Sequence, residues 1–177
     1  MDYGVMLDGG HVAAVNSDIA KYNASQKQHN IIQFIQSTEQ EVEEMDKVNV
    51  YSLSREGNKA VSNNFKVREF RCKDGSDAVF IHPNLINILQ QIRTHFARPV
   101  TITSAFRSQA HNDKEGGEID SQHLYGMAAD IVVTSVAPAK VAEYVETLMS
   151  NTGGIGIYTK KGFCHIDVRQ KKARWNG

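Results

Sequence analysis

Three residues of types that bind metal ions lie in the second half of the chain, and they are His123, Asp130 and His165. Zinc is bound in proteins by imidazole nitrogen and carboxylate oxygen at roughly 2.0 to 2.2 Å. A catalytic zinc site uses three protein ligands and leaves one position for water. Two histidines and one aspartate meet this requirement, so a zinc centre is our first hypothesis, although no HExxH helix is present to strengthen it.

The spacing of His123 and Asp130 suits a loop that leads into a strand. Seven positions separate them, and Gly126 allows the chain between them to bend and bring both side chains to one point. An isolated histidine is more often a structural residue than a ligand, and we interpret the remaining histidines in this way. They are His11, His29, His82, His95 and His111.

The third ligand lies in a segment with the alternation of a half-buried strand. His165 and Asp167 are two positions apart, so in a strand both side chains project to one face. Cys164, Ile166 and Val168 then face the core. A polar face at the centre of a strand requires a reason, and metal binding would supply one.

The elements that position these residues can be predicted from apolar spacing, glycine and proline. One helix begins at Pro83 and runs to about His95, and another begins at Pro138 and stops before Gly153. Strands are predicted over 100–103, 128–133, 155–158 and 163–168, and the first of them ends beside Arg107. Helices that bracket a mostly antiparallel sheet indicate an α+β fold, with the zinc site on the sheet.

The bulk composition is that of an ordinary soluble globular protein. The chain has 177 residues, of which 41% are hydrophobic and 23% charged, and such a length can bury roughly 70% of its extended surface without a disulfide framework. We therefore expect Cys72 and Cys164 to be small buried hydrophobes, although they could pair in an oxidising compartment. The net charge of +0 argues against a nucleic-acid partner bound through its phosphates.

The first fifty residues differ from the rest and are predicted to be an N-terminal extension, with a zinc domain over 51–177. The extension holds three lysines and eight acidic residues and therefore has a net charge of −5, so the remainder of the chain has a net charge of +5. An incomplete apolar stripe predicts a helix from about Ser25 to Met45, which would dock on the main body, mediate self-association or be a solvated appendage. No apolar run is long enough for a membrane span or a signal peptide, so we expect synthesis in the cytoplasm. The oligomeric state is not predicted.

The residues around the predicted metal site resemble the zinc D-alanyl-D-alanine carboxypeptidases and their relatives among bacterial and phage peptidoglycan peptidases. The family pattern Ser-x-His-x-x-Gly-x-Ala-x-Asp is filled by Ser121, His123, Gly126, Ala128 and Asp130, and its later His-x-Asp by His165 and Asp167. Further similar segments are 64–72, 104–107, 153–156 and 173–175. The resemblance covers roughly Tyr51 to Trp175.

This resemblance implies zinc-assisted hydrolysis of an amide bond in the stem peptide of peptidoglycan, at a D-Ala-D-Ala end or at a cross-link. It implies that His123, Asp130 and His165 are the zinc ligands. Arg107 matches an arginine that recognises a substrate carboxylate or backbone, a task suited to a planar guanidinium, although a surface salt bridge is the alternative. Ser121 would position the loop or the substrate, or serve as a helix cap or turn residue. With no signal peptide expected, a phage-type lytic enzyme released at host lysis and a bacterial housekeeping enzyme are equally compatible with the resemblance.

In better-described branches of the family an acidic residue lies three places before the last ligand, whereas this chain has Gly162 there. Asp167 is then the best candidate for the general base, because its carboxylate should point to the metal side. The alternative is that Asp167 orients an imidazole or pairs with Arg169 or Arg107. The loop before His123 is also unusually acidic, and further candidates for the base are Glu115, Glu118 and Asp120.

Two hypotheses from other classes remain open at the level of sequence. A non-catalytic zinc-binding or wall-binding module could keep the fold and lack turnover, and Gly162 is the feature that favours it. A structural virion or assembly protein could use the N-terminal helix to bind its partner. This hypothesis rests only on residues 1–50.

Overall fold

The computed structural model describes residues 24, 26–28, 30–33 and 47–177. The described residues before position 34 are helical, and their Ile31 and Ile32 are 50% and 45% exposed. The rest of the helix predicted from Ser25 to Met45 lies outside the described residues. Residues 47–177 belong to one compact unit, and the division of the chain after residue 50 stays a prediction. No helix of the described part is long and apolar enough to cross a membrane.

The first strands of this unit form a small two-stranded antiparallel sheet that was not predicted from the sequence. Strand β1 (Asn49–Ser52) pairs with β2 (Ala78–Ile81) along its whole length, from Asn49 opposite Ile81 to Ser52 opposite Ala78. Between them lie a one-turn helix, α1 (Leu53–Glu56), and a 3₁₀ helix (Val67–Phe70) that buries Val67 and Phe70.

The larger sheet has five strands and carries the predicted metal site. Its strands are β3 (Val100–Ser104), β4 (Ala128–Val133), β5 (Gly154–Tyr158), β6 (Phe163–Asp167) and β7 (Ala173–Asn176). They lie in the order β3-β4-β6-β5-β7, and all neighbours are antiparallel except the parallel pair β5–β7. The predicted α+β class with a mostly antiparallel sheet is confirmed.

Two long helices contact this sheet and complete the core. The helices of the remaining chain are α2 (Pro83–Phe96), α3 (Gln109–Lys114) and α4 (Pro138–Leu148). Proline begins both α2 and α4, where its missing N–H costs no hydrogen bond. The apolar faces of α2 and α4 are buried in one cluster with Ile131, Cys164 and Ile166 of the central strands. Because side chains alternate along a strand, Asp130 and His165 project to the other face of the sheet.

One row of directly paired residues crosses all five strands on that second face. Ser104 of β3 pairs with Asp130, Asp130 with His165, His165 with Gly156, and Gly156 with Trp175 of β7. Residues in register across neighbouring strands project to the same side of a sheet. The sheet therefore places two predicted zinc ligands side by side, with Ser104 at one end of the row and Trp175 at the other.

Candidate metal centre and its cleft

The structure brings the three predicted ligands to one point. One ligand atom from each of His123, Asp130 and His165 lies within 4.8 Å of the other two. His165 Nδ1 is 2.8 Å from Asp130 Oδ1, and His123 Nε2 is 3.5 Å from the same oxygen. All three residues are buried, with 3%, 7% and 8% of their surface exposed for His123, Asp130 and His165. Within the described chain, this is the one histidine and carboxylate group that could hold a metal ion.

His123 reaches the sheet from a short 3₁₀ helix, Gln122–Tyr125, which ends at Gly126 with φ +66°. A Cβ atom at position 126 would lie 2.4 Å from the carbonyl oxygen of Phe80. Left-handed backbone and close approach both require glycine here. The predicted bend at Gly126 between His123 and Asp130 is therefore present in the fold.

The second nitrogen of each imidazole is bound to an oxygen, which fixes the tautomer. His123 Nδ1 lies 2.6 Å from the carbonyl oxygen of Ala105, and His165 Nε2 lies 3.2 Å from a carboxylate oxygen of Asp167. A carbonyl oxygen and an ionised carboxylate can only accept, so these nitrogens donate, and in the neutral rings His123 Nε2 and His165 Nδ1 carry lone pairs. Both lone pairs face the carboxylate of Asp130. Three acceptors that converge in this way fit a cation, and carbonyl and carboxylate groups behind the ligands are typical of zinc sites.

The pKa directions follow from burial and from these contacts. Burial lowers the pKa of His123 and outweighs the opposing effect of Asp130, which favours the neutral imidazole that binds metal. Burial by itself would raise the pKa of Asp130, but the two histidines hold it well below its ordinary value. For His165, burial opposes protonation, yet hydrogen bonds to Asp130 and Asp167 raise its pKa. The centre thus keeps its carboxylate ionised at neutral pH.

Asp167 lies behind His165 and is 0% exposed, so its placement does not suit the predicted role of general base. Arg169 donates to its two carboxylate oxygens at 2.7 and 2.6 Å, and the backbone N–H of Gly154 donates at 3.1 Å. A carboxylate enclosed in this way has no open path to a water molecule in the cleft. The geometry favours the alternative role, in which Asp167 orients the imidazole of His165 and pairs with Arg169.

Arg107 lies beside the centre and is not a surface salt bridge. Its Nη2 is 3.1 Å from Asp130 Oδ2 and its Nε is 3.0 Å from the hydroxyl of Ser104, and its side chain is 15% exposed. Among the described residues no acceptor is bound to Nη1, so this nitrogen can serve a substrate. Ser121 occupies the N-cap position of the 3₁₀ helix but makes no side-chain cap bond, and its proposed roles stay predictions.

A cleft with a volume of about 890 Å³ lies over the metal centre, in the range of ligand sites. Arg107, Ser121 and all three predicted ligands line it. The acidic loop contributes Glu115, Glu118 and Asp120 to the lining, and strands β5 to β7 with their connecting turn contribute Tyr158, Lys161, Phe163 and Trp175. His111 of α3 also lines the cleft, whereas His82 caps α2 and His95 stacks on Tyr144 with ring centroids 3.6 Å apart.

Buried Asn112 shapes the acidic loop and was not predicted from the sequence. Its Nδ2 donates to the carbonyl of Glu118 at 3.0 Å, and its backbone carbonyl accepts from Gly117 N at 2.9 Å. A Cβ atom on Gly117 would lie 2.2 Å from Asn112 Oδ1, so the loop can pack against this amide only with glycine there. The Gly116-Gly117 pair was the one sequence signal for this close approach.

The two cysteines behave as expected from their spacing. Both are free and buried. Burial, with a smaller effect from the charge of Asp130, raises the pKa of Cys164 to about 12. A thiol in that environment stays protonated and does not compete with the histidines for a metal.

A comparison with protein families agrees with this geometry. A family model with the description Peptidase M15 matches residues 59–167, more than half of the chain and all three ligands. No curated protein matches the chain closely enough to count as a relative.

Proposed function

The chain belongs to the peptidase M15 family and is a zinc metallopeptidase, and we propose that its substrates are the stem peptides of peptidoglycan. The observation that supports this most is that the three residues of the metal centre line a cleft together with cations, carboxylates and aromatic rings. Such a cleft suits an extended peptide that carries charged groups of both signs. The candidate reactions are removal of a terminal D-alanine and cleavage of a cross-link.

The residues of the site hold charged and polar groups in fixed positions before substrate binds. Bound zinc supplies a Lewis acid for the scissile carbonyl and a water molecule of lowered pKa. His123, Asp130 and His165 would hold the ion, and Ala105 and Asp167 fix the orientation of the two imidazoles. Because these groups are buried and already bonded, little reorganisation is needed when substrate binds.

Hydrolysis of an amide bond would require a proton acceptor that reaches the cleft. Asp167 is enclosed, whereas Glu115, Glu118 and Asp120 are exposed and line the same cleft as the predicted ligands. We assign the general base to one of these three carboxylates. Gly162, at the family's acidic position, lies in the turn between β5 and β6 with φ +78°, a conformation that glycine adopts without strain.

The experiment that tests this function is mass spectrometry of purified peptidoglycan fragments after incubation with the zinc-loaded protein. Loss of one D-alanine from pentapeptide stems would identify a carboxypeptidase, and conversion of cross-linked dimers to monomers would identify an endopeptidase. A chelator should abolish either change, and added zinc should restore it. Fragments unchanged by the zinc-loaded protein would contradict the proposal and favour the non-catalytic module.

We expect Arg107→Ala to lower kcat/KM for these fragments by about 30-fold or more while zinc content stays near one per chain. The physical reason is that Arg107 lines the cleft and its Nη1 has no acceptor among the described residues. Loss of a desolvated charge-assisted pair costs on the order of 2 to 5 kcal/mol, where each 1.4 kcal/mol is tenfold. Steady-state kinetics and elemental analysis measure the two quantities. Arg98→Ala, at an exposed position after α2, is the matched control.

Two results would contradict this role of Arg107. Unchanged kcat/KM in Arg107→Ala would mean that the guanidinium does not bind substrate. Loss of zinc in step with activity would mean that Arg107 acts through its contact with Asp130.

A further inference from the structure

Tyr158 ends β5 on the cleft side of the sheet, and the single tryptophan of the chain binds its hydroxyl. Trp175 Nε1 donates to the phenol oxygen of Tyr158 at 3.0 Å. Because the oxygen accepts this bond, the hydroxyl proton is available to a different partner. Among the described residues no acceptor takes that proton. Tyr158 is half-buried and lines the cleft, so the proton can be directed to a ligand there.

The position of Trp175 depends on the row of paired residues that crosses the sheet. Gly156 lies between His165 and Trp175 in that row, and a Cβ atom on Gly156 would lie 2.5 Å from Trp175 Cε2. The missing side chain allows the indole to lie over the sheet, with its ring centroid 5.1 Å from that of His165. Trp175 therefore links the wall of the cleft to a zinc ligand.

Neighbouring residues of β6 and of the turn before it also contact the phenol ring of Tyr158. It stacks on Phe163, its partner in β6, with centroids 4.4 Å apart and planes inclined by 15°. Lys161, in the turn between the two strands, has its Nζ 5.5 Å from the centroid of the Tyr158 ring and lines the same cleft. A fixed hydroxyl donor and a cation thus lie at the β5–β7 side of the metal centre, while Arg107 lies at the β3 side.

We propose that the hydroxyl of Tyr158 donates a hydrogen bond to a carbonyl or carboxylate oxygen of the peptide substrate, and that Trp175 fixes the hydroxyl for this purpose. The proposal rests on the proposed function, because it requires a peptide in the cleft. Donors on both sides of the metal centre place the peptide across the strands, from Arg107 over the ligands to Tyr158. The specificity of the cleft then depends on an oxygen acceptor at the Tyr158 end.

The test compares Tyr158→Phe with the wild type and with Tyr51→Phe, a matched control in β1 that removes a hydroxyl outside the cleft. On the muropeptides that the wild type cuts, Tyr158→Phe should lower kcat/KM about tenfold, the effect of one lost hydrogen bond. Zinc content and melting temperature should match those of the wild type. Trp175→Phe should show part of the same loss, because the phenol remains but its direction is no longer fixed.

Fluorescence gives a second readout, since Trp175 is the only tryptophan. Its emission should shift in unliganded Tyr158→Phe, where the indole N–H loses its acceptor. Titration of zinc-loaded protein with a free tetrapeptide stem should give a Kd about tenfold weaker for Tyr158→Phe than for the wild type. Equal kcat/KM and equal Kd in the two proteins would overturn the proposal and leave the Tyr158–Trp175 bond a structural link between strands.

The two proposals can fail separately in this experiment. A wild type that binds the tetrapeptide through Tyr158 but cuts no muropeptide would overturn the proposed function and support the subsite. A wild type that cuts muropeptides with no contribution from Tyr158 would overturn the subsite alone. Absence of both binding and cleavage would overturn both.

Discussion

His123→Ala should bind less than one tenth of the zinc bound by the wild type, and its kcat/KM for muropeptides should fall by about 10³-fold or more. The imidazole of His123 supplies one of only three protein ligands, and its other nitrogen is already bound to Ala105. A Lewis acid contributes several kcal/mol to hydrolysis, and each 1.36 kcal/mol is a factor of ten in rate. Elemental analysis of protein purified without added metal, together with kinetics, measures both effects.

The matched control for this variant is His95→Ala. His95 is exposed on α2, contacts the rings of Phe96 and Tyr144, and does not line the cleft. It should retain one zinc per chain and wild-type kcat/KM. Full zinc content in His123→Ala, or near-zero zinc in the wild type, would be incompatible with the ligand assignment.

Asp167→Asn should weaken zinc affinity by about 10 to 100-fold, the range observed when a group that orients a zinc ligand is removed. Asp167 accepts from His165 and is paired with Arg169 at 0% exposure, so the substitution also leaves a guanidinium without its counter-ion. Its turnover should return close to that of the wild type when excess zinc saturates the site. Competition with a chelator of known affinity measures the first quantity, and kcat at saturating zinc measures the second.

The same variant distinguishes the two roles that the sequence left open for Asp167. Loss of a general base would lower turnover by roughly 10² to 10⁴ with zinc affinity unchanged, and that result would contradict the enclosed geometry. Asp113→Asn, a substitution of the same type at an exposed position of α3, should change neither quantity. If Asp167→Asn behaves like this control, neither role applies to Asp167.

Much of the larger sheet could be predicted because its strands and helices have strong local signals. The helix predicted from Pro83 to about His95 extends to Phe96, and the strand predicted over 128–133 has those bounds. Pro83 and the helical spacing of the apolar residues after it indicate the helix. A run of β-branched residues indicates the strand. The alternation around His165 correctly placed Cys164 in the core and His165 on the opposite face.

Other elements could not be predicted because their position depends on pairing with distant segments. Strands β1 and β2 pair although residues 53–77 lie between them. Strand β7 has only four residues and pairs parallel with β5. Helix α3 lies in a segment that the sequence indicated to be a polar loop. Nothing in the residues around Trp175 shows that they lie in register with His165 two strands away, and for this reason Tyr158 and Trp175 were absent from the predicted site.

The metal site shows the same division between local and distant information. The ligand types and the bend at Gly126 could be identified from motifs, and the fold brings these residues together. The role of Asp167 could not be identified from motifs, because this role depends on whether Arg169 and the backbone of Gly154 enclose its carboxylate. Two residues of spacing on a strand give the direction of a side chain but not the groups that surround it.

The central claim, that His123, Asp130 and His165 hold one catalytic zinc ion, is tested most directly by X-ray diffraction from crystals of the purified protein at energies above and below the zinc absorption edge. We expect one anomalous difference peak per chain, at roughly 2.0 to 2.2 Å from His123 Nε2, His165 Nδ1 and a carboxylate oxygen of Asp130. A zinc peak elsewhere, or no peak at this centre in zinc-loaded protein, would contradict it.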